Sequence, residues 1–241
     1  MKKHFKFVLY CSMSSFIFFN FNCKKDNGKN HEWGTYKADE KSTSYSPLDQ
    51  INLSNVNQLK NVWTFEMTDL PKGEQPVSSQ TNPIIKEGVM YLNSGKQTVY
   101  ALDASSGEKI WEYRALREGE PSAASRGVAY WENGNDKRIF YSAGNYLLGI
   151  DARTGTLIPT FGDSGKVNLN IGVRDNPDKI SITLTTPGII YKDLIIVGSR
   201  LPDFYGSPPG YIRAYNCQTG ALVWTFHTIP HPGEKGYETW P

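Results

Sequence analysis

One eleven-residue frame recurs three times in this chain, and it limits the possible folds more than any other feature. Ala101–Trp111 reads Ala-Leu-Asp-Ala-Ser-Ser-Gly-Glu-Lys-Ile-Trp, and Ala214–Trp224 reads Ala-Tyr-Asn-Cys-Gln-Thr-Gly-Ala-Leu-Val-Trp. Between them, Gly149–Pro159 repeats the pattern with Pro159 at the tryptophan position. The shared frame is small-x-Asp/Asn-x-x-Ser/Thr-Gly-x-x-x-Trp. Its centre is a turn: the Asp or Asn side chain can accept backbone N–H groups two residues on, and Gly supplies a positive φ. In the first copy the flanks, 98–102 and 109–113, alternate or run apolar as paired strands do. Two more strand-like runs precede each copy, at 83–86 and 89–93, at 127–131 and 138–142, and at 187–191 and 194–198.

A unit of four short antiparallel strands, repeated, is the blade of a β-propeller. The turn glycines Gly107, Gly155 and Gly220 lie 48 and 65 residues apart, a blade plus variable loops. The expected class is therefore all-β, a partial propeller of about three blades over residues 46–241, with tryptophans packed between neighbouring blades. Three blades close no ring, so the chain is expected to be truncated relative to the working protein and to leave a blade face exposed. Cys217 is the only cysteine of the body, which leaves stability to packing and makes it a small strand residue. A net charge of +2 with interspersed signs offers no nucleic-acid footprint.

The amino terminus addresses the chain for export. A basic start, Met1–Lys6, precedes an apolar run of about 15 residues from Phe7 to Phe21, the length of a signal-peptide core. Residues 1–22 are read as a signal peptide and 23–45 as a polar tether and lead-in. Cys23 at the boundary resembles a bacterial lipidation site, by which acyl chains would hold the protein to a membrane. Asn22 stands where a small residue is usual, and plain secretion or a retained anchor are the alternatives.

Three further segments carry a family resemblance. Glu32-Trp33, Tyr45-Ser46, Ile51-Asn52-Leu53-Ser54-Asn55-Val56-Asn57-Gln58-Leu59-Lys60 and Trp63 come first. Ser125-Arg126-Gly127-Val128-Ala129-Tyr130-Trp131 follows, then Thr185-Thr186-Pro187 leading to Val197-Gly198-Ser199. In order and spacing they resemble the pyrroloquinoline quinone (PQQ) dependent dehydrogenases, whose propeller is an eight-bladed ring. Trp224–Glu234 is most similar to the glucose-dehydrogenase-like branch. One departure is Lys37-Ala38, where the family usually has a glycine and then a basic or polar residue. From the residues alone, the Asn52–Val56 piece reads as a turn with a short helical start.

The resemblance implies an oxidoreductase that takes electrons from a sugar or alcohol with PQQ and Ca²⁺ and passes them to a membrane quinone or a cytochrome. PQQ carries three carboxylates and an electrophilic quinone, so a pocket needs a fixed cation and neutral donors. Arg126 is the implied cation, with Thr185 and Ser199 as hydroxyl donors. Gln80 stands where the family often has a glutamate, and Asp203 is an implied oxygen ligand of calcium. The family's catalytic aspartate, a calcium-binding asparagine and the tryptophan beneath the quinone correspond to positions beyond Pro241, so no general base is nominated. Ser122–Ser125 replaces the adjacent cysteines or the histidine of some members.

Each assignment has a plainer alternative. Arg126 would serve equally as a blade-edge arginine paired with Glu120 or Asp136, Thr185 and Ser199 as turn and strand-end residues, and Asp203 as a solvated loop carboxylate. His227 and His231 have a helical ligand spacing, but Pro230 and Pro232 forbid the helix. Gly162–Lys166 is a turn and not a phosphate loop. A non-enzymatic propeller lipoprotein, a scaffold for outer-membrane assembly, shares the repeat but has no need of the Glu32–Lys60 and Ser125–Trp131 segments.

Overall fold

A computed structural model describes residues 32–67, 69, 79–116 and 124–240. The signal region and Cys23 lie outside the described residues. No helix of the described residues is long and apolar enough to cross a membrane.

Among the described residues, twelve strands form three four-stranded antiparallel sheets. Blade A is β1 (Ile84–Lys86), β2 (Val89–Asn93), β3 (Thr98–Asp103) and β4 (Lys109–Arg114). Blade B is β5 (Ala129–Asn133), β6 (Asp136–Ala143), β7 (Tyr146–Asp151) and β8 (Lys166–Asn168). Blade C is β9 (Ile189–Tyr191), β10 (Leu194–Val197), β11 (Ile212–Asn216) and β12 (Leu222–Phe226). The all-β partial propeller read from the repeat is what the chain forms.

The repeat frame folds the same way three times. Asp103 Oδ1 accepts the N–H groups of Ser105 and Ser106, each at 2.9 Å, and the Gly107 N–H closes on the Asp103 carbonyl at 2.8 Å. Asp151 and Asn216 hold Arg153 and Thr154, and Gln218 and Thr219, with the same geometry. Gly107, Gly155 and Gly220 have φ of 74°, 72° and 73°. A β-bulge recurs too: Ile110 and Val223 are the unpaired residues just before Trp111 and Trp224.

Both faces of the inner sheets are covered, so β3 is buried along nearly its whole length instead of alternating. Leu92, Tyr100 and Leu102 pack on Phe65 and Met67 of the lead-in. Tyr91, Val99, Ala101 and Trp111 face blade B, and blade B in turn packs on Ile195, Val197, Tyr211 and Tyr215 of blade C. At the A–B junction Trp111 is 8% exposed and lies across the Gly155 turn. Burying a ring of that size removes about 150–250 Å² from water, the largest apolar contribution a single side chain makes.

The middle repeat departs from its neighbours. Pro159 has no N–H to continue a ladder, so only a single bridge, Leu157 to Ile150, follows the turn. The chain turns through 159–165 before β8 restores the outer strand. Phe161, fully buried against Phe140, fills the core there, while Val167 and the Gly162 backbone lie on the Gly220 turn in place of a tryptophan. Arg138 strengthens this junction, donating to the carbonyls of Cys217 at 3.0 Å and Gln218 at 2.8 Å. On blade C, Trp224 is 38% exposed at the position where Trp111 is buried.

The lead-in is ordered by its own side chains. Asn55 Oδ1 accepts the Asn52 N–H at 2.8 Å and its Nδ2 donates to the Gln50 carbonyl at 2.7 Å, ahead of a 3-10 turn at Val56–Gln58. Trp63 lies on the Gly107 turn, and the Trp33 carbonyl accepts the Ile85 N–H at 2.8 Å along the inner edge of blade A. Lys37 and Ala38 both have positive φ, 61° and 81°, so two side-chain-bearing residues stand in a backbone conformation that favours glycine.

Candidate functional site

In an antiparallel sheet the first strand begins at the end where the second finishes. Gln80, Arg126 and Thr185 precede β1, β5 and β9, and Ser199 and Asp203 follow β10, so topology alone gathers the five at one end of the blades.

Hydrogen bonds join the three inner lead-ins at that end. The Asn82 N–H donates to the Arg126 carbonyl at 2.9 Å, and the Arg126 N–H donates to the Thr185 carbonyl at 2.8 Å. Arg126 is therefore a link between blades A, B and C through its backbone before its side chain does anything. Gly127 makes this possible. Its φ is 142°, and a Cβ there would stand 2.9 Å from the Asn82 carbonyl oxygen. The Arg-Gly pair of the sequence is thus required by the close approach of a neighbouring blade.

The Arg126 side chain then reaches Thr185. Nη1 donates to Thr185 Oγ1 at 3.2 Å. A hydroxyl that accepts from a guanidinium turns its own proton elsewhere, so Thr185 remains a donor to a third group. The blade-edge alternative is set aside for Asp136, whose carboxylate is held by Arg138 at 2.7 Å. Glu120 lies outside the described residues. Among the described residues Arg126 forms no ion pair.

Ser199 stands at the neck of the loop between β10 and β11. Its Oγ donates to the Tyr211 carbonyl at 3.4 Å, and Arg200 N–H donates to the Thr183 carbonyl at 2.7 Å, which ties the Ser199 segment to the Thr185 segment. A long neutral bond of this kind contributes about 0.5–1.5 kcal/mol, less than a bond to a carboxylate, so an anionic ligand would win the Ser199 proton. Gln80 is exposed and near Asn82, whose Nδ2 donates to the Gln80 carbonyl at 3.4 Å. Asp203 is exposed in the loop, and no group of three or more His, Cys, Asp or Glu side chains among the described residues is placed to hold a metal ion.

Sequence reasoning missed two features. Asn93, 1% exposed, ties the end of blade A to the segment carrying Arg126, with Nδ2 donating to the Ser125 carbonyl at 3.4 Å. Tyr211 is 6% exposed, and its hydroxyl meets His231 Nε2 at 2.9 Å. Burial raises its phenol above the ordinary range. The Trp-Thr-Phe-His-x-x-x-His run carried that second signal, hidden behind the search for a metal-binding helix. Cys217 is fully buried, and burial pushes its thiol up to about 12, so it is a packed core residue.

Comparison with known proteins identifies the family of the fold. The family model for the β-propeller domain of PQQ glucose, ethanol and alcohol dehydrogenases matches residues 33–241. The dehydrogenase subunit of the quinone alcohol dehydrogenase of Gluconobacter oxydans is 31% identical, over 87% of this chain and 26% of its own length. The quinoprotein glucose dehydrogenase of Escherichia coli is 29% identical, over 85% of this chain and 27% of its own. Among solved structures, the quinohemoprotein alcohol dehydrogenase of Comamonas testosteroni superposes with a TM-score of 0.68 at 26% identity, over 88% of this chain and 29% of that one. The chain spans less than a third of the length of these relatives. With the match running from Trp33 through the Arg126 and Thr185 segments to its last residue, this chain belongs to the PQQ-dependent dehydrogenase β-propeller family.

Proposed function

We propose that this chain contributes the inner ends of three blades to the cofactor pocket of a quinoprotein dehydrogenase that oxidises a sugar or an alcohol. The observation that carries the proposal is Arg126. Its backbone is locked between two blades, its guanidinium is in no ion pair among the described residues, and it donates to a Thr185 hydroxyl that keeps its own proton free. A planar cation beside a hydroxyl donor suits a ligand carboxylate, which a guanidinium can hold in a two-pronged grip. Bound PQQ would supply the electron-accepting quinone. The protein groups that would hold it are Arg126, Thr185 and Ser199, with Gln80 offering a neutral amide.

Asp203 is one oxygen donor, and no group of three or more His, Cys, Asp or Glu side chains gathers around it among the described residues. A Ca²⁺ site would be completed by other groups, so no catalytic step is assigned to a metal. The export signal and Cys23 favour an extracytoplasmic enzyme held by lipid, with a membrane quinone or cytochrome as electron acceptor. Family membership and the Arg126 arrangement support the enzymatic reading over a scaffold.

The test is a PQQ titration of the full-length enzyme by fluorescence, paired with the melting temperature of the cofactor-free protein. Arg126→Lys keeps the charge and loses the fork, so PQQ affinity is expected to fall roughly ten- to a hundredfold with little change in apo melting. Unchanged affinity with a markedly lower apo melting point would make Arg126 a structural link alone.

A further inference from the structure

Beyond the neck of the β10–β11 loop lies a cluster that neither the repeat nor the cofactor reading uses. Tyr211 presents its backbone carbonyl to Ser199 and its ring to the segment after β12. The ring of His227 meets it edge-on at 4.5 Å, and its hydroxyl meets His231 Nε2 at 2.9 Å. The two imidazoles stack at 3.8 Å with only 8° between their planes. Glu234 fastens both: one carboxylate oxygen engages His227 Nδ1 at 2.7 Å and the other accepts the His231 backbone N–H at 2.7 Å. The prolines that forbid a helix through His227 and His231 thus allow a turn that folds the two rings onto each other.

We propose that this Tyr211–His231–His227–Glu234 cluster is a positioning device for Ser199. Tyr211 is the last residue of the loop, directly before β11, and its carbonyl is the only hydrogen-bond partner of the Ser199 hydroxyl among the described residues. The placement of that carbonyl follows the placement of the Tyr211 ring, which is fixed by burial on one side and by the histidine pair on the other. The opposite strand of the neck is held separately by the Arg200–Thr183 bridge. Ser199 therefore sits between two anchors, one from the Thr185 segment and one from the carboxyl-terminal turn. Neither His227 nor His231 is a catalytic residue in this arrangement. This inference rests on the reading of Ser199 as a cofactor donor.

The test is a double-mutant cycle on PQQ affinity in the full-length enzyme. Tyr211→Phe keeps the ring packing and the carbonyl but loses the bond to His231. It is expected to weaken PQQ binding roughly two- to tenfold, and His231→Ala to do the same. His231→Gln supplies an amide oxygen in place of Nε2 and should restore affinity toward wild type. In a Ser199→Ala background the effect of Tyr211→Phe should vanish, because a positioning residue acts only through the group it positions. An undiminished effect in that background, or no effect of Tyr211→Phe while Ser199→Ala weakens binding, overturns the positioning role and leaves the cofactor reading intact. Should Ser199→Ala bind PQQ as wild type does, the assignment of Ser199 itself falls, and this inference with it.

Discussion

At the junction of blades A and B a single buried carbonyl takes two side-chain hydrogen bonds. Ala152 O accepts Trp111 Nε1 at 3.0 Å and the Tyr91 hydroxyl at 3.2 Å, and Ala152, Trp111 and Tyr91 are all buried. Removing one donor leaves the carbonyl satisfied by the other, whereas removing both strands a buried acceptor. Tyr91→Phe should therefore be mild, about 0.5–1.5 kcal/mol. Trp111→Phe also gives up part of a ring packed across Gly155, and should be destabilising by about 1.5–3 kcal/mol. The double variant should exceed the sum of the two by about 1 kcal/mol or more, the added penalty of an unpaired buried carbonyl. Urea denaturation of the four proteins measures this directly. Thermal melts give a parallel reading, since 1 kcal/mol moves the midpoint by about 2–4 °C in a domain of this size. Additivity within about 0.3 kcal/mol would show that the two donors do not depend on a shared acceptor.

Three further expectations follow from local geometry. Gly88→Ala and Gly155→Ala both place a side chain at positive φ, but a Cβ at Gly88 meets open space and one at Gly155 meets Trp111 Cδ2 at 2.6 Å. Gly88→Ala should cost about 1–2 kcal/mol and Gly155→Ala clearly more, and equal losses would mean that only backbone strain matters. Ala38→Gly should raise the melting temperature, because relieving a φ of 81° outweighs the added freedom of the unfolded chain by roughly 0.5–1 kcal/mol; a lower midpoint would contradict it. Burial, then the neighbouring Asp193, raises the Cys217 thiol from 9.0 to about 12, so its contribution to stability is complete below pH 9 and is lost as the pH climbs toward 12. Cys217→Ala should flatten part of that alkaline loss, and the wild-type thiol should resist a disulfide reagent at pH 8 until denaturant is added; ready labelling of the folded protein would contradict its burial.

What the sequence made visible was chemistry with a near partner. The Asp103, Asp151 and Asn216 turns close within four residues, so their residue types alone announce them, and the strands around them fall within a residue or two of the expected places. Pro159 set the middle repeat apart only by its missing tryptophan, and neither the turn through 159–165 nor the β8 that forms beyond it was read from the sequence. Of the interblade contacts, the packing of Trp111 was legible in the repeat, but the hydrogen-bond partners were not, because they lie far along the chain: Arg126 and Thr185 are 59 residues apart, Trp111 and Ala152 are 41. The Tyr211–His231 pair depends on a proline-shaped turn whose path no spacing rule gives. Even so, some long-range structure was written into small residues and read there as something else. Gly107, Gly155 and Gly220 look like turn glycines, and their φ near 73° requires them as such. Each is also required a second time, because a Cβ would strike Trp63, Trp111 or the Gly162–Val167 segment of the neighbouring layer. The same holds for Gly127, which has no turn to make and whose partner is the Asn82 carbonyl. In a stack of sheets, a glycine marks the place where one layer must come within reach of the next. That is why the Arg-Gly pair marks the place where blades A and B meet more firmly than the arginine does by itself.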